Sequence, residues 1–232
     1  MKFIIGNWKM NGTQRDKTDL ISAISQTNTD NKVILCLPFT LLCGLDNKIE
    51  IGAQNISEHE NGAFTGDISA QMVTDTGAKY VLVGHSDRRL YHHETNKIVR
   101  SKAEMAIRHN LIPIICIGET LAEHESGKTE KVINDMLLEC LPSNGEFIIA
   151  YEPCWAIGTG KTPTDKQIEA IHKIIFEKLS VHGFASTPIL YGGSVNSNNA
   201  AAISSVPHVD GLLVGGASLK SETFIPIINA TK

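Results

Sequence analysis

The sequence predicts an α/β protein that folds as a closed (β/α)8 barrel, and three observations support this class. Eight short runs of apolar or β-branched residues recur along the 232-residue chain, and several are apolar throughout, as strands buried on both faces are. Amphipathic segments separate many of the runs, and alternating strands and helices imply parallel pairing through right-handed crossovers. Eight such units in about 230 residues fit the lower end of the size range of this barrel.

The predicted elements follow from two kinds of hydrophobic pattern. Residues 164–179 place apolar side chains at helical spacing, and Thr164 with Gln167 three residues later forms a capping-box sequence. An apolar stripe over residues 128–140 predicts another helix, and a shorter stripe over residues 20–24 predicts a third. The predicted strands are Phe3–Ile5, Lys32–Leu37, Ile49–Ala53, Tyr80–Val83, Ile112–Ile117, Phe147–Tyr151, Pro188–Tyr191 and Val209–Val214.

The alternative architecture is a doubly wound open sheet. That fold usually carries G-x-G-x-x-G after its first strand, and residues 6–12 of this chain do not have that pattern. The chain also contains no linker, charge block or low-complexity segment. We therefore expect a single barrel domain over residues 1–232.

Composition restricts the class of partner and the cellular location. The formal net charge is −4 and the isoelectric point about 6.1, which gives no overall attraction for nucleic acid or an anionic membrane. No apolar stretch approaches the roughly 20 residues of a membrane helix. The five cysteines are odd in number and lack a C-x-x-C pair, so they suggest neither a disulfide framework nor a zinc site. We expect a cytoplasmic protein that binds neither nucleic acid nor membranes.

Polar residues follow two of the apolar runs directly, where a barrel of this class builds its active site. Lys9 stands just past the first run and could attract a phosphate or a developing oxyanion, although a surface lysine is the plainer alternative. His85 follows the fourth run, where Ser86 or a neighbour can cap a helix with Asp87 in its first turn. The positive end of that helix favours a neutral ring, which can donate a hydrogen bond to a carbonyl oxygen.

A carboxylate ends the sixth run. Glu152 comes directly after the run Phe147–Tyr151, where desolvation disfavours its charged form and suits it to act as a general base. Pro153 stiffens the chain that follows, and residues 157–160 contain two glycines. A stiff start, an apolar tip and a glycine-containing end predict a hinged lid.

Paired glycines follow the last two runs. Gly192-Gly193 comes after the seventh run and Gly215-Gly216 after the eighth. Glycines let backbone N–H groups approach an anion closely, and the loops after strands seven and eight often bind phosphate in such barrels. A simple turn explains one such pair, but two pairs at these two places predict a phosphate site.

Together these segments resemble the triosephosphate isomerase family from Phe3 to about Leu219. The motifs N-W-K-M-N-G, A-Q-N, G-A-F-T-G, C-I-G-E, A-Y-E-P, W-A-I-G-T-G-K, Y-G-G-S-V and V-G-G-A-S-L occur in the family's order. Two positions depart from the family pattern: Asp87 stands where glutamate is usual, and Cys154 replaces a small aliphatic residue in the hinge. In this chain the motifs begin at Asn7, Ala53, Gly62, Cys116, Ala150, Trp155, Tyr191 and Val214.

The resemblance implies an isomerase of glycolysis and gluconeogenesis that interconverts dihydroxyacetone phosphate and D-glyceraldehyde 3-phosphate through an enediol(ate). It implies that Glu152 is the base, that neutral His85 polarises the carbonyl, and that Lys9 and Asn7 bind substrate and stabilise the oxyanion. No metal or organic cofactor is expected, because proton transfer beside a carbonyl needs only a base, an acid and charge stabilisation. The backbone N–H groups implied for the phosphate are those of Gly158, Ser194, Gly215 and Gly216.

The resemblance also implies a homodimer. Residues 62–66 resemble the loop that reaches into a neighbouring subunit, where Thr65 approaches Asn7 and Lys9 of the partner subunit. Glu119 resembles the residue that contacts Trp155 when the lid is open.

The other histidines have no setting comparable to that of His85. The histidines other than His85 are expected at the surface or in linkers; those considered are His92, His93, His109, His124, His172, His182 and His208.

A different barrel enzyme acting on a phosphorylated sugar remains an alternative, because phosphate loops serve many chemistries. A binding or scaffold protein that keeps the fold is the non-enzymatic alternative.

Overall fold

The computed structural model describes residues 1–44, 49–157 and 162–231, and its eight strands close into one parallel barrel in chain order. Closure comes from β1, which pairs with β2 on one side and with β8 on the other. The (β/α)8 prediction is therefore confirmed, and the open doubly wound sheet is excluded. The strands are β1 Phe3–Asn7, β2 Lys32–Leu37, β3 Glu50–Ala53, β4 Tyr80–Val83, β5 Ile112–Ile117, β6 Ile148–Tyr151, β7 Ile189–Tyr191 and β8 Gly211–Val214.

In the described parts of the chain, α-helices follow seven of the eight strands and cover the outside of the barrel, while the short 3-10 helix Phe39–Leu41 follows β2. The predicted capping box is present: the Gln167 N–H donates to Thr164 Oγ1, and the Thr164 N–H donates to Gln167 Oε1 at 2.9 Å. Among the described residues, no helix has the length and apolar character needed to cross a bilayer. The α-helices are α1 Gln14–Ser25, α2 Ala70–Asp75, α3 Ser86–His92, α4 Asn96–Arg108, α5 Leu121–Glu125, α6 Thr129–Cys140, α7 Asp165–Val181, α8 Ala200–Ser204 and α9 Ser221–Ala230.

Two apolar layers hold this arrangement. Alternate strand residues, including Ile5, Cys36 and Cys116, fill the barrel interior, and the other strand faces pack against the helices. Gly211 permits closure of the barrel, because a Cβ there would lie 2.1 Å from the Phe3 carbonyl oxygen on β1. All eight strands run in parallel, so their C-terminal ends open onto one face of the barrel.

His172 on α7 is fully buried, so its prediction as a surface or linker residue is wrong. Its Nδ1 lies 2.9 Å from the His208 carbonyl oxygen, which can only accept, so Nδ1 carries the proton. Burial lowers the pKa of His172 to about 4, and the ring is neutral at neutral pH. The helical stripe that contains Ile168, Ile175 and Leu179 also passes through position 172, and that spacing could have revealed its burial.

The buried ring of His172 should make stability depend on pH. The pKa of His172 is near 6.5 in the unfolded chain and about 4 in the folded chain. The contribution of the neutral ring to the unfolding free energy is therefore complete above pH 6.5 and is lost as the pH falls toward 4. We expect the parent protein to lose about 2 kcal/mol more unfolding free energy than His172→Gln between about pH 7 and about pH 5. Urea unfolding at both pH values measures this. The control, His182→Gln at an exposed site, should keep the parent profile; equal pH profiles for parent and His172→Gln would contradict the assignment.

Candidate active site

The predicted site residues meet at the C-terminal ends of the strands, around a cavity of about 240 Å³. Residue Gly158, which was also predicted to bind phosphate, lies outside the described residues. The remaining predicted residues all line this cavity; they are Asn7, Lys9, His85, Glu152, Ser194, Gly215 and Gly216.

Lys9 is fixed at the exit of β1 and does not extend freely from the surface. Its φ of 51° lies in the left-handed region that residues other than glycine seldom adopt. The Asn7 side chain stabilises this backbone, because Asn7 Oδ1 accepts the Lys9 N–H at 3.0 Å, and Gln54 Nε2 donates to the Lys9 carbonyl at 2.9 Å. Lys9 Nζ pairs with Asp87 Oδ2 at 3.1 Å, so the shorter acidic side chain at position 87 still reaches the lysine.

The N-cap of α3 is His85, the neighbour of Ser86. Its Nδ1 accepts the Asp87 backbone N–H at 3.0 Å. A nitrogen that accepts carries no proton, so the ring is neutral and its proton is on Nε2. Nε2 lies 3.1 Å from Glu152 Oε1. The predicted setting at the positive end of a helix is therefore present.

Glu152 follows β6 and is almost completely buried. Its Oε2 accepts the Ser86 backbone N–H at 3.0 Å, while Oε1 lies 3.1 Å from His85 Nε2. Its own N–H donates to the Ile117 carbonyl at 2.7 Å. The exits of β5 and β6 approach so closely that a Cβ at Gly118 would lie 1.7 Å from the Glu152 carbonyl oxygen. The Ser86 N–H and the adjacent His85 ring thus stabilise a carboxylate that has little contact with water.

The segment after Glu152 is a short 3-10 helix, Cys154–Ala156, which we call the hinge. Trp155 Nε1 donates to Glu119 Oε1 at 2.9 Å, the contact that the family resemblance implies. Ser194 Oγ donates to the Ala156 carbonyl at 2.5 Å and joins the hinge to the loop after β7. The lid itself stays a prediction, because residues 158–161 lie outside the described part of the chain.

Cys154 is half-buried in the hinge. Burial, together with the nearby Glu152 and Glu119 carboxylates, raises the pKa of its thiol to about 12. Because the thiolate is the reactive form, this setting opposes reaction of Cys154 with thiol reagents.

The opposite wall of the cavity is built from backbone. The two glycine pairs and Ser194 line it, and a short 3-10 helix, Gly216–Ser218, begins there. A Cβ at Gly193 would lie 2.2 Å from Tyr191 Oη, so glycine is required for this close approach. The described residues contain no cluster of three or more histidine, cysteine or acidic side chains suited to a metal ion.

The cavity therefore combines a base, a neutral donor, a cation and an anion-binding wall. Sequence reasoning missed the Ser86 N–H and the Gln54 amide, since both contacts depend on backbone positions that no residue pattern encodes. It also missed the part played by His124 beside the hinge.

Comparisons with known proteins agree with this chemistry. A family model described as triosephosphate isomerase matches residues 2–231. A triosephosphate isomerase of Paracidovorax citrulli is 43% identical, over 99% of this chain and 98% of that relative. One of Chlamydia trachomatis is 46% identical, over 98% of this chain and 89% of that relative. The crystal structure of triosephosphate isomerase from Bartonella henselae superposes with a TM-score of 0.89 at 38% identity, covering 99% of this chain and 98% of that chain.

The family model covers nearly the whole chain, the relatives exceed 40% identity, and the barrel superposes along its length. The chain therefore belongs to the triosephosphate isomerase family.

Proposed function

We propose that this chain interconverts dihydroxyacetone phosphate and D-glyceraldehyde 3-phosphate, in glycolysis and gluconeogenesis, with Glu152 as the base. The observation that carries the assignment of roles is the arrangement at α3, where Ser86 N–H and His85 Nε2 hold the two oxygens of a buried carboxylate. Family membership supports the reaction. A different sugar-phosphate enzyme and a pure scaffold are both disfavoured by that membership.

The first step removes a proton beside the carbonyl. Glu152 takes a proton from the hydroxymethyl carbon, the C–H electron pair forms a carbon–carbon double bond, and the carbonyl pair moves onto oxygen. His85 Nε2–H, which lies 3.1 Å from Glu152 Oε1 in the ligand-free protein, donates to this oxygen and stabilises its charge. Lys9 adds positive charge, and Asn7 keeps the lysine backbone in place.

The second step returns the proton to the neighbouring carbon. Glu152 protonates the former carbonyl carbon, and the hydroxyl on the first carbon loses its proton as the new carbonyl forms. His85 carries the proton between the two oxygens, so atoms and charge balance. Ser194, Gly215 and Gly216 supply backbone N–H groups to the phosphate, and Gly158 is proposed as a fourth donor.

Glu152→Asp tests the base. The change keeps the charge but withdraws the carboxylate by one methylene, so we expect turnover to fall about 100-fold or more. Affinity for glycerol 3-phosphate, which keeps the phosphate but lacks the carbonyl, should change little. A coupled assay with each triose phosphate and calorimetric titration of glycerol 3-phosphate measure the two quantities.

The matched control is Glu177→Asp, because Glu177 is an exposed carboxylate on α7 far along the chain from the site. It should leave turnover unchanged. Turnover of Glu152→Asp within a few-fold of the parent would show that another group is the base.

We further propose a cytoplasmic homodimer in which residues 1–232 form one triosephosphate-isomerase-like barrel domain. Five free cysteines suit a reducing compartment. The loop around Thr65 is ordered within the protomer, since Ser57 Oγ donates to Asp67 Oδ2 at 2.6 Å and the rings of His59 and Phe64 stack at 4.0 Å. Met10, next to Lys9, is 96% exposed, an apolar surface that a second subunit could cover.

Thr65→Arg tests the dimer. Thr65 is exposed at the loop tip, so a bulky charge there should leave the protomer folded but clash with a partner subunit. We expect a smaller sedimentation coefficient and a lower turnover that falls further on dilution. Thr18→Arg, at an exposed position on α1, should behave like the parent. A parent protein that sediments as a monomer at full activity would contradict the proposal.

A further inference from the structure

His124 on α5 is packed against the hinge, although the sequence predicted a surface or linker residue. Its ring stacks on the Trp155 indole with centroids 4.4 Å apart and planes inclined by 26°. Its Nδ1 lies 3.5 Å from Glu119 Oε1, and its side chain is 32% exposed. A histidine that can exchange protons with solvent is therefore in contact with both partners of the hinge hydrogen bond.

Glu119 is the centre of this cluster. Its side chain is completely buried, and it accepts from Trp155 Nε1 at 2.9 Å and from Tyr151 Oη at 3.2 Å. Burial and Glu119 both raise the pKa of Tyr151, so the phenol stays a donor. The carboxylate therefore fixes the hinge tryptophan to the end of the barrel.

The groups that face the His124 ring come from three elements. Glu119 lies at the exit of β5, Trp155 in the hinge, and Thr129 at the start of α6, with Oγ1 3.4 Å from Nδ1. Within the described residues, Glu119 is the one carboxylate paired with this ring. Glu123, on the same helix, is occupied by its capping box with Thr120.

We propose that His124 is a pH-sensitive positioning residue that clamps the hinge when it is protonated. In the imidazolium ion both nitrogens donate, so Nδ1 gains a charge-assisted interaction with Glu119. The same cation faces the π-system of Trp155 and attracts it. Both interactions stabilise the hinge conformation described here, and both are lost when the ring becomes neutral.

The clamp should lower ligand affinity in acid. The inference rests on the proposed function and on the lid that the family resemblance implies, in which Trp155 contacts Glu119 when the lid is open and leaves it when substrate binds. A ligand that favours the moved hinge binds more weakly when the ligand-free conformation is stabilised, because it must first shift that equilibrium. Protonation of His124 thus opposes substrate binding without contacting substrate.

Two variants of His124 imitate the protonated and the neutral ring at every pH. His124→Arg keeps a cation that can stack on Trp155 at every pH, and His124→Asn keeps an amide near the Nδ1 position without charge. Affinity for glycerol 3-phosphate, measured by calorimetry from about pH 5 to about pH 8, should be about threefold weaker in His124→Arg than in His124→Asn throughout. The parent should follow His124→Arg in acid and His124→Asn in base. Ionisation of the ligand affects all three proteins alike.

Hydrogen exchange in the ligand-free protein tests the clamp independently of activity. The Trp155 indole N–H should gain protection as the pH falls in the parent but not in His124→Asn. The Trp8 indole, which is buried and donates to the Ser218 carbonyl, is the internal reference. His182→Asn, at an exposed site, should match the parent.

The outcomes separate the two proposals. One common pH profile for the parent, His124→Arg and His124→Asn, in both affinity and exchange, would overturn the clamp alone. A parent that neither turns over triose phosphates nor binds glycerol 3-phosphate would overturn the proposed function together with the clamp.

Discussion

The N-terminus of α3 is the constraint on which the site depends. Its Asp87 N–H donates to His85 Nδ1 and its Ser86 N–H donates to Glu152 Oε2, so one helix end sets the tautomer of the proposed acid and holds the proposed base. The helix can start here because Gly84 turns the chain sharply after β4 with a φ of 69°. Arg89 fixes the turn, since its guanidinium donates to the Gly84 carbonyl at 2.7 Å. Preorganised donors of this kind cost no reorganisation during the reaction.

The same helix end explains how the barrel tolerates a buried acid. A lone buried carboxylate is expensive, but the Ser86 N–H, the nearby His85 ring and the helix dipole compensate Glu152. Asp87 extends the network to Lys9, whose left-handed backbone is stabilised by the Asn7 side chain. The side chains of the site are therefore held by hydrogen bonds and ion pairs at the ends of β1, β4 and β6.

The sequence predicted the barrel well because each strand is buried on both faces and reads as an unbroken apolar run. The strand-end rule then found Lys9, His85 and Glu152 from position alone. It could not find contacts that depend on where backbone groups point, such as the Ser86 N–H. His172 and His124 were misjudged for a related reason: a single histidine carries no sign of burial or partners unless the helical stripe around it, or the neighbouring chain, is considered.

The most direct test of the central claim is the protonation state of His85, read from the ring nitrogens by 15N NMR at neutral pH in the ligand-free protein. The arrangement at α3 predicts a neutral ring with a proton on Nε2 and a bare Nδ1. A ring protonated on Nδ1, either as the other neutral tautomer or as imidazolium, would contradict it. Either result would mean that the helix end does not set the tautomer, and the assignment of His85 as the neutral electrophile would fail.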